Sequence, residues 1–438
     1  MKKVLIVSPH FPPINAPDMQ RVRLALPFLR AHGWEPTVLV IAPESIEGGV
    51  REPLLEATYP ADIRVVRVRG ISPRLTRWAG VGSLWWRCGR AIARAGARLL
   101  AAEKFDLGFF STTQFGAFGL GPRWRRRFGV PYVLDYQDPW RNDYYRRTGA
   151  PPPGGRLKYA LSQWTARRTE PRALRDAAGV IAVSESYGKT LAENYPWFDA
   201  QRVELLPFGA SEADMEVAAR HRPAQPLIDF ADGFVHHVYA GRGGEDMRFA
   251  LTVLLRAFKL YRASHPAMAA RLRLHFIGTG YAPPPLGRDW AVPIAEAEGV
   301  ADQVHEHRYR VAYFDALHYL QNAHALMAVG SNDPTYSASK IFPCVLARRP
   351  LLLIFHRGSL VLDFAEKAAV GERFAFGEAD EIDRLAGEVH RRWLVEGGCE
   401  RTAGFDEAAF APFTAAALTA KLAAVFDRAM TPNAGKIS

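Results

Sequence analysis

The feature that most constrains the fold is an alternation of short apolar strands and amphipathic helices, which occurs twice along the chain. The first apolar strand, residues 4–7, is followed by a proline-rich loop, a helical segment at residues 19–31 and a strand at residues 37–41. After residues 211–232, which lack strong periodicity and are typical of a linker, the alternation restarts at residues 235–240. Strands separated by helices form parallel sheets with helices on both faces. The sequence therefore predicts an α/β protein with two Rossmann-like, doubly wound parallel sheets.

Chain length and the restart of the pattern set the expected domain boundaries. The chain has 438 residues, which suits two domains of roughly 200 residues each. We predict an N-terminal domain over residues 1–215, a C-terminal domain over residues 233–405, and a long alanine-rich helix with a tail over residues 406–438. Doubly wound sheets bind ligands at the carboxyl ends of their strands. The cleft that the two domains face is therefore the expected site.

Composition excludes several classes of protein. The chain is 48% hydrophobic and 23% charged, as expected for a protein with packed cores. Cys88, Cys344 and Cys399 are widely separated, which argues against a structural metal site and favours a reducing compartment. No apolar run approaches the roughly 20 residues of a membrane-spanning helix, and the first residues do not resemble a signal peptide. We expect a cytoplasmic protein.

The chain is basic, with a formal net charge of +11. A basic surface suits nucleic acid, anionic lipid or a phosphorylated substrate. Nucleic acid is the least favoured of these partners because none of the standard nucleic-acid-binding motifs is present. Four arginines fall on one face of a predicted helix at residues 84–102: Arg87, Arg90, Arg94 and Arg98. Two interpretations remain open: a helix that rests on anionic lipid at the inner membrane face, or one that packs on the sheet and exposes its arginines to water.

The loop after the first strand carries polar residues immediately before a helix. His10, Asn15 and Asp18 lie where backbone N–H groups and the helix dipole favour an anion or a sugar hydroxyl. The alternative is a proline-stiffened connection with Asp18 as the helix N-cap.

A second polar segment, residues 135–141, follows another apolar strand. Asp135 and Asp138 are three residues apart and precede Trp140. Carboxylates accept hydrogen bonds from hydroxyl groups, and indole faces stack on sugar rings. The segment therefore suits sugar binding, and the alternative is a pair of helix-capping aspartates with a core tryptophan.

In the second half, residues 239–248 form a strand end, a glycine-rich turn and the start of a helix. Gly241, Gly243 and Gly244 allow close backbone approach, while Arg242 and Arg248 can neutralise a diphosphate. The segment is neither a P-loop nor a complete dinucleotide fingerprint.

A run of hydroxyl residues at residues 331–340 opens another helix and ends in a lysine. Such a segment suits phosphate, although a plain serine N-cap explains it equally well. The candidates for donor binding in this segment are Asp333, Tyr336, Ser339 and Lys340.

Together these segments resemble glycosyltransferase family 4 and related GT-B enzymes over nearly the whole chain. The matching segments are the Pro12-Pro13 loop followed by Arg21, then residues 135–140, 181–186, 206–209, 241–242, 277–280 and 339–342. The resemblance implies a retaining, hexosyltransferase-type transfer from a nucleoside-diphosphate sugar to a glycan or lipid-linked acceptor in polysaccharide or glycolipid synthesis.

The resemblance also implies roles for individual residues. Arg242 and Arg248 would hold the diphosphate and stabilise leaving-group charge, and Gly278, Gly280 and Arg308 would line the nucleoside pocket. His10 and Asp138 would lie at the reacting centre. The acceptor side would comprise Asn15, Asp18, Arg21, Trp140 and Arg141. No metal or other cofactor is required, because the arginines neutralise the diphosphate.

Two departures from the family pattern keep other functions open. Thr335 and Pro343 replace the Glu-x7-Glu pair whose second glutamate holds the donor ribose, and Asn15-Ala16 replaces a double glycine. Asp333 is the candidate replacement for the ribose contact. The alternatives are a GT-B sugar-nucleotide epimerase or hydrolase, and a non-catalytic protein that binds nucleotide-sugar or glycan.

Overall fold

The computed structural model describes residues 1–76, 83–141, 155–280, 282, 285–334, 341–377, 381–401 and 404–431. The chain divides into two compact units, one formed by Met1–Gly209 with Ala415–Ser438 and the other by Ala210–Thr414. Each unit is built on one parallel sheet. The predicted fold class, α/β with two Rossmann-like doubly wound parallel sheets, is confirmed.

The first unit contains a seven-stranded sheet within its described residues. Its strands are β1 (Lys2–Val7), β3 (Trp34–Ile41), β5 (Arg64–Val68), β6 (Leu107–Ser111), β7 (Tyr132–Tyr136), β8 (Gly179–Ala182) and β9 (Val203–Leu205), while β2 (Ile14–Asn15) and β4 (Val50–Arg51) form a separate antiparallel pair. The helices are α1 (Gln20–Leu29), α2 (Pro73–Thr76), α3 (Leu84–Ala102), α4 (Leu120–Phe128), α5 (Arg156–Arg175) and α6 (Glu185–Asn194). The strand order is β5-β3-β1-β6-β7-β8-β9.

The apolar strand β1 shows why this sheet is covered on both faces. Leu5 and Val7 belong to the core on one face, and Val4 and Ile6 to the core on the other. Successive strand side chains point to opposite faces, so a strand that is apolar at every position requires two layers of cover. The run of apolar residues thus dictates the central position of β1.

The second unit has a six-stranded parallel sheet within its described residues. Its strands are β10 (Val235–Ala240), β11 (Leu272–Ile277), β12 (Val304–His307), β13 (Ala325–Val329), β14 (Leu351–His356) and β15 (Glu372–Phe376). The helices are α7 (Glu212–Arg220), α8 (Arg248–Ser264), α9 (Pro266–Ala269), α10 (Val292–Glu298), α11 (Tyr313–Asn322), α12 (Ile341–Leu346), α13 (Leu360–Lys367), α14 (Ile382–Val389) and α15 (Glu407–Phe410), and a π-helical turn, His390–Val395, follows α14. The strand order is β12-β11-β10-β13-β14-β15.

The unit boundaries differ from the expected ones. The second unit begins at Ala210 rather than at residue 233, because part of the expected linker is α7, where the Ser211 hydroxyl accepts the N–H of Asp214 at 3.1 Å. Met215 and Ala218 are buried on one face of this helix. The linker prediction for residues 211–232 was therefore wrong over α7.

The C-terminal segment is also divided. The single helix expected at residues 407–430 is instead α15 and α16 (Ala415–Met430), with a short 3-10 turn at Ala411–Phe413 between them. Pro412 lies in that turn, and proline disfavours a continuous helix. Helix α16 belongs to the first unit, where the Phe426 ring packs edge-on against Trp34 at 5.3 Å and Phe109 at 5.0 Å.

Helix α3 changes the interpretation of the arginine stripe. Arg87 is buried, and its Nη1 donates to the carbonyl oxygens of Ser45 at 2.9 Å and Ile71 at 3.1 Å. The other three arginines of the stripe, Arg90, Arg94 and Arg98, are exposed. Trp86, which lies four residues before Arg90, is also exposed. The exposed face therefore carries three arginines and a tryptophan rather than four arginines. Among the described residues, no helix has both the length and the apolar character needed to cross a membrane.

Candidate functional site

The strand orders locate the expected ligand-binding loops. In the first sheet β1 lies between β3 and β6, and in the second sheet β10 lies between β11 and β13. The chain therefore moves to one side of each central strand and later continues on its other side. Open α/β sheets bind ligands outside the carboxyl ends of their strands at such switch points. The relevant loops follow β1 and β6 in the first unit, and β10 and β13 in the second.

In the first unit, the loop after β1 holds the His10 ring in one orientation. Nδ1 of His10 lies 2.8 Å and 3.0 Å from the two carboxylate oxygens of Asp18. A neutral ring in this arrangement donates its Nδ1 proton to the carboxylate and has an electron pair on Nε2. The His10 side chain is 17% exposed, whereas Asp18 is buried. The pair therefore presents one acceptor nitrogen at the switch point.

The loop after β6 holds the other side of the Asp18 carboxylate. The hydroxyl of Thr112 and both the N–H and hydroxyl of Thr113 donate to Asp18 Oδ2 at 3.0–3.1 Å. Burial alone would raise the pKa of Asp18, but the hydrogen bond and charge of His10, together with these donors, hold the pKa below its usual value. Asp18 is therefore a buried anion that joins the two loops. The N-cap alternative for Asp18 was wrong, because the side chain makes no cap hydrogen bond.

Asp135, at the end of β7, is the centre of a second buried network. Its Oδ2 accepts hydrogen bonds from Ser111 Oγ at 2.8 Å, Gln137 Nε2 at 3.0 Å and Arg21 Nε at 3.0 Å. The two Nη groups of Arg21 donate to the carbonyl oxygens of residues 206–207. Arg21 is buried. Its hydrogen bonds connect α1 to β7 and to the segment after β9. This corrects its predicted role as an acceptor-binding residue.

Trp140 is a core residue rather than a stacking platform. Its ring is buried and lies parallel to the Phe115 ring, with centroids 5.7 Å apart and an interplanar angle of 15°. The Phe118 ring meets it at right angles, with centroids 6.0 Å apart. The acceptor-binding prediction for Trp140 is therefore replaced by its core alternative.

Asn15 and Arg141 also contact protein atoms of the first unit. Asn15 Nδ2 donates to Glu52 Oε1 at 3.0 Å. Arg141 Nη1 donates to the carbonyl oxygen of Asn194 at 3.3 Å, and its guanidinium lies 5.8 Å from the centroid of the Tyr195 ring. Both side chains are partly exposed, so their acceptor-side roles stay predictions.

A buried carboxyl that the sequence did not single out lies beside Arg141. Glu170 on α5 accepts a hydrogen bond from the Tyr195 hydroxyl at 2.7 Å. Burial raises the pKa of Glu170 to about 7, although the Tyr195 hydrogen bond and the charge of Arg141 act in the opposite direction. Glu170 therefore titrates near neutral pH in the folded protein.

Asp138 differs from the two buried aspartates of this unit. Its residue surface is exposed, yet partial desolvation of the carboxyl and the negative charge of Asp18 raise the pKa of Asp138 above its usual value. A solvent-accessible carboxyl close to the His10–Asp18 pair suits contact with a substrate hydroxyl.

In the second unit, a tight glycine-rich turn over residues 241–244 follows β10. The N–H of Gly241 donates to the carbonyl of Ile277 at 2.9 Å, and the N–H of Gly243 to that of Thr279 at 2.7 Å. A Cβ atom at position 243 would lie 2.5 Å from the ring of Trp290. Glycine is therefore required there, and the turn leads directly into α8.

Arg242 extends from this turn and forms a bidentate pair with Asp246. Nη1 and Nη2 of Arg242 lie 3.0 Å and 2.7 Å from Asp246 Oδ1 and Oδ2. This hydrogen-bonded guanidinium holds the pKa of Asp246 below its usual value. The backbone carbonyl of Asp246 accepts the N–H of Asn332 at 2.8 Å, so the loops after β10 and β13 are joined. Both members of the pair are partly exposed, and an anionic ligand can reach the guanidinium.

Arg248 lies at the first turn of α8 and is much more exposed than Arg242. It pairs with Glu245 through Nε and Oε1 at 2.5 Å, and the two side chains are 58% and 64% exposed. The N-terminus of a long helix also favours anions. Arg248 is therefore available as a second, solvent-screened cation near the turn.

The predicted nucleoside-pocket residues lie together at the ends of β11 and β12. The N–H of Gly278 donates to the carbonyl of His307 at 2.8 Å, and the N–H of Gly280 to that of Arg308 at 2.7 Å. Gly278 has a φ of 72°, a left-handed conformation that favours glycine. Arg308 Nη2 lies 2.6 Å from Asp289 Oδ2. The segment is ordered by its own hydrogen bonds, and the donor contact itself stays a prediction.

The loop after β13 is described in part. The N–H of Asp333 donates to Ser331 Oγ at 3.0 Å, and Asp333 is exposed. Thr335, Tyr336, Ser339 and Lys340 lie outside the described residues. The predicted donor contacts of these residues stay predictions.

The histidines of the second sheet form a hydrogen-bonded cluster rather than a metal site. Nδ1 of His236 lies 2.9 Å from Nε2 of His275, and Nε2 of His236 lies 2.9 Å from Asp232 Oδ1. Across the described part of the chain, no group of three or more His, Cys, Asp or Glu side chains is placed to hold a metal ion.

Residues 20–209 match the family model described as a glycosyl transferase 4-like domain. The matched segment contains most of the first unit, including Asp18's partners after β6 and the Asp135 network. This segment of the chain is therefore similar to a glycosyl transferase 4-like domain. The predicted resemblance to glycosyltransferase family 4 is thereby confirmed.

Solved structures show a similar fold over 98% of this chain, and this fold is of the GT-B type. Anabaena HepE in complex with UDP and glucose gives a TM-score of 0.54 at 14% identity, covering 98% of this chain and 100% of HepE. A sucrose-phosphate synthase from Thermosynechococcus elongatus gives 0.54 at 16% identity, covering 98% and 99% of the two chains. A UDP-forming α,α-trehalose-phosphate synthase from Burkholderia xenovorans gives 0.56 at 13% identity, covering 98% and 100%. The search of curated protein sequences gave no significant match.

Sequence reasoning missed several partners of the GT-B loops. Thr112 and Thr113 hold Asp18, and Asp246 holds Arg242. A signal for the threonines was present, since they follow the apolar run at residues 107–110 after a single serine, where switch-point loops start. Asp246 lies four residues after Arg242, a spacing at which a side-chain ion pair forms on one face of a helical turn.

Proposed function

We propose that this protein is a glycosyltransferase that moves a sugar from a nucleoside-diphosphate sugar to a hydroxyl of a glycan or lipid-linked acceptor, with retention at the anomeric carbon. The observation that carries the proposal is the Arg242–Asp246 pair in the glycine-rich turn at the switch point of the second sheet. A bidentate guanidinium beside a helix N-terminus is suited to a diphosphate. HepE, whose fold is similar, was solved with UDP and with UDP-glucose.

In the proposed reaction, the bond between the anomeric carbon and the diphosphate oxygen breaks, and a bond to the acceptor oxygen forms. Negative charge develops on the leaving diphosphate, and Arg242 stabilises it by exchanging its Asp246 partner for phosphate oxygens. Arg248 adds a weaker, screened contribution because it is exposed. The acceptor oxygen attacks the anomeric carbon on the face from which the diphosphate departs, so the configuration is retained without a protein nucleophile. The acceptor proton passes to the departing diphosphate.

In the first unit, His10 Nε2 would accept a hydrogen bond from a substrate hydroxyl. The Asp18 carboxylate fixes the orientation of the His10 ring and holds the ring proton on Nδ1. In the neutral ring Nε2 is then the hydrogen-bond acceptor. Asp138 would bind a second hydroxyl, because its carboxyl is exposed and is close enough to Asp18 for the charge of Asp18 to act on it. The positions of these groups favour contact with the sugar or the acceptor over a structural role.

A release assay tests this proposal. The protein is incubated with UDP-, GDP-, ADP- and dTDP-sugars and with glycan or lipid acceptors, and release of the nucleoside diphosphate is measured. We expect nucleoside diphosphate to be released with one donor class and this release to be lost in Arg242→Ala. Arg262→Ala is the control and should release as much as the parent protein, because Arg262 lies in the last turn of α8 and pairs with Asp302. Release that is equal in both variants would contradict the assigned role of Arg242.

One sequence feature favours a second candidate, a non-catalytic nucleotide-sugar-binding protein. Pro343 in α12 stands where the family has the glutamate that holds the donor ribose, and proline offers no hydrogen-bond donor or side-chain acceptor. Tight donor binding in the same assay without release of nucleoside diphosphate, for any acceptor offered, would favour this second function.

We also propose a cytoplasmic protein that associates peripherally with the inner face of an anionic membrane through α3. Trp86, Arg90, Arg94 and Arg98 recur every four residues, and all four are exposed. Tryptophan with basic residues suits the headgroup region. Sedimentation with anionic vesicles at low salt should bring down the protein, and a triple Gln variant of the three arginines should stay in solution. Equal sedimentation of both would refute the role of α3.

A further inference from the structure

A cavity lies at the opposite end of the second sheet from Arg242. Its lining includes Val235 and Leu272, which open β10 and β11, and Pro350, which precedes β14. The volume is about 460 Å³, within the roughly 300–1,000 Å³ of small-molecule sites. The six residues of β10 separate this cavity from the turn that carries Arg242 by roughly 20 Å. The cavity is therefore distinct from the loops assigned to the donor.

The cavity has a basic rim. Arg271, Arg348 and Arg349 line it, while Glu400 is the acidic residue of the described lining. Arg349 Nε donates to the carbonyl of Gln321 at 2.8 Å, which fixes the guanidinium, and no hydrogen bond from its Nη groups is found among the described residues. Arg271 Nη2 donates to the carbonyl of Gly233 at 3.5 Å. The Arg271 side chain makes no ion pair with a described carboxylate and is exposed. Two arginines are therefore available to an anion.

Two histidines of the lining supply further polar atoms. His237 is 1% exposed, and its Nε2 has no hydrogen-bond partner among the residues that the structure describes, which is costly for a buried polar atom unless a ligand or water satisfies it. Burial lowers the pKa of His237 to about 3, so the ring is neutral. His324 Nδ1 accepts the N–H of His236 at 3.1 Å, and a neutral His324 ring therefore carries a donor N–H on Nε2.

The remaining wall is apolar. Leu272, Pro350 and Leu394 line it, together with Tyr261. An apolar wall beside fixed cationic groups is the usual make-up of a site for a small molecule with a ring and one charged group. Inorganic anions alone would leave this wall uncovered.

We propose that this cavity is a second ligand site, which binds a small phosphorylated compound with a ring-shaped body. The phosphate lies between Arg271 and Arg349, where the planar guanidinium groups donate pairs of hydrogen bonds to its oxygens. The ring covers the apolar wall and lies against the His237 side chain, which lines the cavity. Binding here does not require sugar transfer and does not compete with a ligand of Arg242.

Phenyl phosphate is a suitable probe, with phenol as the control that lacks the phosphate. Binding is measured by isothermal titration calorimetry on the full chain, and its place by alkylation of Cys399, which lines the cavity and is partly exposed while Cys88 and Cys344 are buried. We expect phenyl phosphate to bind, phenol not to bind, and saturating phenyl phosphate to slow the alkylation of Cys399.

Three variants locate the site. Arg349→Gln and Arg271→Gln should each weaken binding about tenfold or more, since each removes charge-assisted hydrogen bonds. Arg220→Gln, an exposed arginine of α7 outside the cavity, and Arg242→Ala should bind as the parent protein does. Arg271 is exposed, so its variant keeps the test valid if Arg349→Gln fails to fold.

The outcomes are decisive in either direction. Weakened binding in the two cavity variants with protection of Cys399 supports the site. Absence of binding, binding that is lost in Arg242→Ala, or unchanged alkylation of Cys399 in the presence of bound phenyl phosphate would each overturn it. None of these readouts depends on transfer activity, so failure of the proposed function leaves this test intact.

Discussion

The two switch-point loops of this molecule are built in opposite ways. In the first unit, the charged groups are buried and hydrogen-bonded: Asp18 meets His10, Thr112 and Thr113, and Asp135 meets Arg21. In the second unit, the charged groups pair locally and remain open to solvent, as in Arg242 with Asp246 and Arg248 with Glu245.

This difference fits two tasks. A buried, fully bonded carboxylate orients one neighbouring group, and here that group is the His10 ring. An exposed ion pair can exchange its internal partner for a charged ligand at little cost in stability. The comparison therefore predicts that changes to the buried carboxylates Asp18 and Asp135 of the first unit mainly affect folding, and that changes to the exposed pairs of the second unit mainly affect ligand binding.

Arg242→Ala should show the largest effect, and it should fall on turnover. Loss of the bidentate cation should reduce kcat/KM about 10²–10³-fold, as for removal of one donor to a developing negative charge. Stability in urea should fall by about 1 kcal/mol or less, because the pair with Asp246 is partly exposed. A large loss of stability with normal turnover would reverse the comparison.

Asp18→Asn should show the next largest effect, and it should fall on folding. The N–H₂ group of the asparagine would face the donor groups of His10 and the threonines, so at least one hydrogen bond would be lost. We expect the free energy of unfolding to fall by about 2–4 kcal/mol. Asp62→Asn is the matched control, since Asp62 is an exposed carboxylate paired with Arg30. Urea titration measures both, and equal small losses would contradict the importance of burial.

The contribution of Asp18 should depend on pH in a defined direction. Its folded-state pKa lies below the usual value of 3.8, so the stabilisation is fully present above that value and is lost as pH falls through the lower folded-state pKa. The stability difference between the parent protein and Asp18→Asn should therefore shrink in acid. A difference that grows as pH falls would show that the carboxylate is not the stabilising form.

Glu170 should show the opposite behaviour. Its folded-state pKa of about 7 lies above the usual value of 4.5, so burying the charged form opposes folding, and stability decreases as pH rises from 4.5 to 7. Glu170→Gln should remove this decrease and make the protein relatively more stable above pH 7. Melting temperatures across the pH range measure it, and an unchanged pH dependence would contradict the assignment.

Gly243→Ala should have a smaller effect, confined to the second unit. The added methyl would meet the Trp290 ring at 2.5 Å, and we expect a loss of about 1–3 kcal/mol from overpacking. Gly387→Ala in α14 is the control, because nothing lies within 4 Å of its Cβ position and alanine favours helices. Thermal unfolding should move in opposite directions for the two variants.

Much of this architecture could be predicted from the sequence. Continuous apolar runs such as residues 4–7 and 351–355 form strands that must be covered on both faces. The two parallel sheets could be predicted from this requirement. The loops with His10 and Arg242 were located because ligand-binding residues follow such strands. These arguments depend only on local pattern.

Other features depend on contacts between distant residues, and local pattern did not reveal them. Arg21 looks like a surface cation in the sequence, but Asp135, 114 positions away, makes it a buried structural residue. Trp140 was assigned to a ligand because the Phe115 ring that covers it lies on another element. Helix α16 returns to the first unit through Phe426, whose partners are about 300 or more residues earlier.

A thermal-shift screen against UDP, GDP, ADP, dTDP and CMP and their sugar conjugates tests the central claim most directly, because a ligand that binds only the folded state raises the melting temperature. The account predicts a clear rise with one nucleotide class, which is lost in Arg242→Ala and kept in Arg262→Ala. Absence of a rise with every nucleotide, or a rise that is unchanged in Arg242→Ala, would contradict it.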